Sequence, residues 1–127
     1  MRRGTAVILL SLAACRPQVA LSVSAEAAPV FTVSGEDEPA CLRSLAVYRR
    51  DGQLAWRIGQ HVPTACATRV TYGTLPAGYR QIAPARPLAA GQLYRVAITG
   101  PGFNDAAVFT ATAITPPSSA PAGPRSR

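Results

Sequence analysis

Arg43-Ser-Leu-Ala-Val-Tyr-Arg-Arg-Asp-Gly-Gln-Leu-Ala-Trp-Arg-Ile-Gly59 holds two runs in which apolar and polar side chains alternate around Asp51-Gly52. A period of two puts successive side chains on opposite faces of an extended chain, the spacing of a half-buried strand. Asp-Gly is a two-residue hairpin signal, because both residues tolerate positive φ. Counting outward from it pairs Arg49 with Leu54, Val47 with Trp56 and Leu45 with Ile58. Leu45, Val47, Leu54, Trp56 and Ile58 then share a buried face, with Trp56 in the core. Ala46, Tyr48, Arg50, Gln53, Ala55 and Arg57 take the other face.

Outward from this hairpin, the same period marks Val30–Ser34, Arg69–Gly73, Tyr79–Ile82, Leu93–Thr99 and Ala107–Thr112 as strands. Turn signals at Pro76-Ala77-Gly78, Pro87/Gly91 and Gly100-Pro101-Gly102 separate them. The body contains no run of ten residues with helical period and no internal repeat. About seven short strands at regular spacing predict an all-β fold, a small antiparallel β-sandwich of the immunoglobulin or fibronectin type III kind, with a small open barrel as the alternative.

The 127 residues include 12 Pro and 10 Gly, which leaves room for one domain and no long helix. All 13 basic residues are Arg, and the net charge is +7. Between Pro29 and Thr115 that excess shrinks to eight Arg against five carboxylates, spread along the chain rather than gathered into a stripe with aromatics. Nucleic-acid binding is not expected from such a pattern. One His, three Cys and six acidic residues leave little from which to build a catalytic or metal site. The sequence carries no Gly-rich phosphate loop, Ser-His-Asp set or paired carboxylates, so neither enzyme activity nor a cofactor is expected.

The N-terminus places the chain in a compartment. Arg2 and Arg3 precede the apolar run Ala6–Leu10, the layout of a secretory signal too short to span a bilayer. Leu12-Ala13-Ala14-Cys15 then matches all four positions of a lipobox, and the segment resembles the signal of bacterial lipoproteins. The resemblance implies cleavage after Ala14 and lipidation of Cys15, with the acyl chains holding the mature protein to a membrane. By the sorting rule of enteric bacteria, Arg16 after the Cys points to the outer membrane. The alternative is a soluble secreted or periplasmic protein, cleaved near Val23–Ala27. Arg16-Pro17-Gln18 ends the apolar run too early to favour that site. The expected organisation is a signal peptide over 1–14, a lipidated N-terminus and flexible tether over 15–28, a β-sandwich over 29–115 and a disordered Pro/Ser/Ala-rich tail over 116–127.

The run Tyr72-Gly-Thr-Leu-Pro-Ala-Gly-Tyr79, with Pro84, Pro87-Leu88, Gly91 and Tyr94-Arg95-Val96, resembles small exported bacterial proteins that carry no known activity. The likeness supports fold and compartment without adding a function.

With Cys15 lipidated, Cys41 and Cys66 remain, and in an exported domain they read as one disulfide. The hairpin register puts Cys41 opposite Val62, so a short loop must bring Cys66 back. The competing reading makes Cys66 a nucleophile with His61 as its base, which needs a reduced thiol and a third orienting group. A metal site at His61, Cys41 and Cys66 is one ligand short. Glu36-Asp37-Glu38 reads as a solvated loop rather than a calcium site, for want of ligand spacing. Tyr48, Arg50 and Arg57 are residue types enriched at interface anchors and form a candidate interaction patch. Otherwise they are a half-exposed sheet face with Arg lying over Tyr.

The expected function is that of a lipid-anchored cell-envelope module, structural or protein-interacting, with the membrane and an envelope protein as partners. The competing expectation is a small-ligand or glycan-binding domain that uses the loops Gln60–Thr68 and Pro101–Asp105 at one end of the sandwich.

Overall fold

The computed structural model describes residues 19–35 and 40–112. Eight strands run in chain order: β1 (Val19–Val23), β2 (Val30–Gly35), β3 (Ser44–Arg49), β4 (Leu54–Gln60), β5 (Arg69–Thr71), β6 (Tyr79–Ala83), β7 (Leu93–Gly100) and β8 (Phe103–Thr110). They form two antiparallel sheets, ordered β1-β2-β5 and β6-β4-β3-β7-β8. The fold is the all-β sandwich that the sequence pattern predicts. In the larger sheet the order β8-β7-β3-β4 is the G-F-C-C′ order of immunoglobulin-type sandwiches. Strand β6 adds an outer edge.

Hairpin β3–β4 keeps two of its three expected pairs, Leu45 with Ile58 and Val47 with Trp56. The third is different. Arg49 N–H donates to Gln53 O at 2.7 Å and Gly52 N–H donates to Arg49 O at 2.8 Å, which closes a three-residue turn, Arg50-Asp51-Gly52, with Gly52 at φ 90°. That is one residue more than the Asp-Gly turn expected from sequence. The excess shifts Tyr48 opposite Leu54, and a β-bulge at Ala55 restores the register before Trp56. Leu54 therefore leaves the core face and is half-buried beside Tyr48, while Ala55 is buried.

Three further expectations are corrected. Val19–Val23 lies in the stretch expected to be a flexible tether, yet it pairs with β2 from Val19↔Gly35 to Val23↔Phe31 and packs Val19, Leu21 and Val23 on the core. Its five residues alternate like any strand here, and its edge position beside β2 satisfies backbone groups that a tether leaves to water. The last strand starts four residues earlier than expected. Gly100 pairs with Phe103 across a two-residue Pro101-Gly102 turn, so Phe103, Asn104 and Asp105 are strand rather than loop. Strand β5 is also shorter than expected and ends at Thr71.

Between the sheets lies a core in which Trp56, Phe31, Leu42, Leu45, Ile58 and Leu88 are fully buried. Its polar atoms are partnered. Trp56 Nε1 donates to Gln81 Oε1 at 2.8 Å on β6, and the Trp56 ring meets Tyr72 edge-on with centroids 5.1 Å apart. At the start of β7, the Tyr94 hydroxyl accepts from Ala89 N at 2.8 Å, five residues upstream. Such a back-bond is the tyrosine corner of sandwich folds.

The strand directions define two ends. Val19 and Gly35, the start of β3, the end of β4 and the β7–β8 turn lie at one end. The Arg50-Asp51-Gly52 turn, the start of β7 and the end of β8 lie at the other.

Candidate functional site

Cys41 and Cys66 form a disulfide, Cα–Cα 4.6 Å, at the end where β1 begins. The loop after β4 folds back to allow it. His61 N and Val62 N donate to Gly78 O at 2.8 and 2.9 Å, and Gln60 Nε2 donates to Ala65 O at 2.7 Å. Leu42 N donates to Ala67 O at 3.0 Å, and the buried Tyr79 hydroxyl joins the same two segments, donating to Leu42 O and accepting from Ala67 N. Backbone and phenol thus hold together the segments that the disulfide links. Glycine is required beside them. A Cβ on Gly100 would run into the Phe103 ring and come within 2.7 Å of Cys41 O. With its sulfur in the disulfide, Cys66 offers no thiolate to His61, and the nucleophile reading falls.

Cys15 and Glu36-Asp37-Glu38 lie outside the described residues, as does the tail beyond Thr112. Of the candidate patch, Tyr48 and Arg57 share one sheet face, and Arg50 lies in the turn between their strands. Tyr48 and Arg57 stand on the outer face of the five-stranded sheet, where the cation over the Tyr48 ring is Arg95 of β7, 5.6 Å from the centroid. Arg95 is the cross-strand partner of Tyr48, a pairing that shows only once β3 and β7 are known to be neighbours. Arg50 sits at the hairpin tip, in a different feature.

That feature is a groove of about 650 Å³ between the β3–β4 turn and the segment from Arg86 to Tyr94. Arg49, Arg50 and Arg86 wall it, and Pro87, Leu93 and Tyr94 supply apolar surface. The segment is pinned from both sides. Arg86 N donates to Ala55 O at 2.9 Å, at the bulge, and the Tyr72 hydroxyl bonds Arg86 O at 2.7 Å. Leu88 is fully buried beneath, and Gly91 and Gln92 bond the backbone of Ala111. Burial pushes the Tyr72 phenol well above its ordinary pKa, so it stays a neutral donor at this junction. Of the three guanidiniums, Arg49 is paired with Asp51 at 3.1 Å. Among the described residues no ion pair or side-chain hydrogen bond engages Arg50 or Arg86. The groove is therefore net cationic, with two uncommitted guanidiniums on its walls.

The loops expected to form a ligand end, Gln60–Thr68 and Pro101–Asp105, do share one end, but the second is a tight turn. The groove lies at the opposite end. The sequence singles out only Arg50 of this groove. Arg49 and Arg86 are far apart in the chain, and the Ala55 bulge that joins them has no residue signature. Comparison with known proteins finds no matching family model, no similar curated protein and no matching solved structure. Among the described residues no helix is long and apolar enough to cross a membrane.

Proposed function

We propose that the chain is a lipid-anchored protein of a bacterial cell envelope, held through Cys15, whose β-sandwich is a structural or protein-interaction module rather than an enzyme. The observation that carries this reading is the polarity of the fold. The chain enters β1 at Val19, at the disulfide end, and the cationic groove opens at the other. From Cys15 to Val19 is four peptide steps, about 14 Å when extended. An anchor on Cys15 holds the disulfide end near the membrane and presents the groove end outward. The Cys41–Cys66 bond fits an oxidising, extracytoplasmic compartment, where disulfides persist. The concave shape of the groove, with a few polar groups set in apolar surface, also favours a second reading, a small-ligand-binding domain.

Palmitate-analogue labelling and membrane fractionation test the anchor. Wild type takes up label and sediments with membranes, and Cys15→Ala does neither. An unlabelled wild type, or a Cys15→Ala protein still in the membrane fraction, overturns it. Photo-cross-linkers at Val62, exposed near the disulfide, and at Leu93, in the groove, test the orientation. Val62 adducts should contain lipid and Leu93 adducts protein. The reverse pattern refutes the polarity.

A further inference from the structure

We infer that the groove binds an acidic, aliphatic peptide segment of a partner protein, with Arg50 and Arg86 as its carboxylate clamps; this deepens the interaction-module reading and rests on it. Three facts converge. Arg50 and Arg86 come from opposite walls and have no ion-pair or hydrogen-bond partner among the described residues, whereas Arg49 beside them is held by Asp51. A guanidinium presents a planar fork of donors that matches a carboxylate bidentately, so two free forks across a cleft select a ligand with spaced carboxylates.

The floor decides between a peptide and a sugar. Pro87 and Leu93 offer aliphatic surface, with Leu93 39% exposed, and the Tyr94 ring is buried, stacked on Phe109 with centroids 5.7 Å apart. The Tyr94 hydroxyl is already bonded to Ala89 N. A glycan would leave hydroxyls against carbon and find no open aromatic face to stack on. A strand alternating Glu with Leu or Ala places carboxylates on the arginines and methyl groups on the floor.

The polarity of the fold argues against headgroups of the anchoring membrane as occupant. Strand β7 runs its eight residues, about 23 Å, from the groove at Leu93 to the disulfide end at Gly100. The reach from Cys15 is shorter, so the groove is turned away from that bilayer.

The test uses the full mature chain in detergent and a fluorescein-labelled octapeptide alternating Glu with Leu and Ala, read by anisotropy. Binding should be saturable, weaken as salt rises, and disappear when every Glu is replaced by Gln. Arg50→Ala and Arg86→Ala should each raise Kd about tenfold or more, while Arg57→Ala, on the outer sheet face, should leave it unchanged. Unaltered melting of these exposed variants separates lost binding from lost fold. Absence of binding, equal loss in Arg57→Ala, or tighter binding of a uronic-acid oligosaccharide than of the peptide overturns the inference, the last in favour of a glycan. Anchoring is read separately through Cys15. Loss of the anchor with groove-dependent peptide binding intact would overturn the envelope assignment and uphold the ligand.

Discussion

Replacing Trp56 by Ala removes the largest fully buried side chain of the core. Three losses combine. Truncating a buried aromatic to Ala costs about 3–5 kcal/mol through lost transfer energy and the cavity left behind. Within that figure lie the edge-on contact with Tyr72, about 0.5–1.5 kcal/mol, and the bond from Nε1 to Gln81, of similar size. At roughly 0.05–0.15 kcal/mol per residue, the 90 described residues support a total stability of about 5–14 kcal/mol. The substitution thus consumes a large share of it. At about 4–8 °C per kcal/mol for a domain of this size, Tm should fall by at least about 12 °C. Trp56→Phe keeps most of the volume and gives up the indole N–H, so it should cost well under half as much. Thermal melts by far-UV circular dichroism compare all three proteins. A Trp56→Ala variant melting within about 3 °C of wild type, or a Phe variant as damaged as the Ala one, would refute the packing argument.

Other outcomes follow from the same structure. Reducing Cys41–Cys66, which spans 25 residues, should lower stability by about 3.5 kcal/mol on the chain-entropy model, read as a drop in urea midpoint with and without reductant; an unchanged midpoint contradicts it. Tyr79→Phe strips Leu42 O and Ala67 N of their shared partner and should cost about 1–3 kcal/mol, measurable in the same titration. Gly100→Ala should lower the melting temperature, because a Cβ there meets the Phe103 ring and Cys41 O; a melt unchanged from wild type would show that both give way freely. Tyr72 has a raised pKa in the fold, so the stability it contributes is complete below the free phenol value of about 10 and is lost as pH rises beyond it. Urea midpoints should fall above about pH 10 in wild type and more gently in Tyr72→Phe, and parallel curves would exclude the buried phenol as the cause.

The all-β class and most strands were legible because a period of two is set by backbone geometry wherever one face is buried. Leu45 and Val47 were paired correctly with Ile58 and Trp56 through two compensating irregularities. The turn is one residue longer than Asp-Gly suggests, and the Ala55 bulge takes the extra residue back. Neither has a residue signature, so the alternation alone puts Leu54 on the wrong face. Strand β1 looks like tether in the sequence because Val19-Ala-Leu-Ser-Val23 is short and flanked by small and polar residues. Its stability comes from β2, not from itself. The disulfide is legible by elimination, since the expected lipidation of Cys15 would leave two thiols. The groove was not. It depends on Arg86 bonding to a carbonyl freed by the bulge, a contact between residues 31 positions apart that no local pattern encodes.

Intact-mass analysis of the mature protein from envelope membranes addresses the central claim most directly. The account predicts a chain that begins at Cys15, heavier than its polypeptide by the mass of attached acyl groups, and two mass units lighter than its reduced form through the Cys41–Cys66 bond. A mature chain that begins elsewhere without lipid, or two free thiols in the native protein, would contradict it.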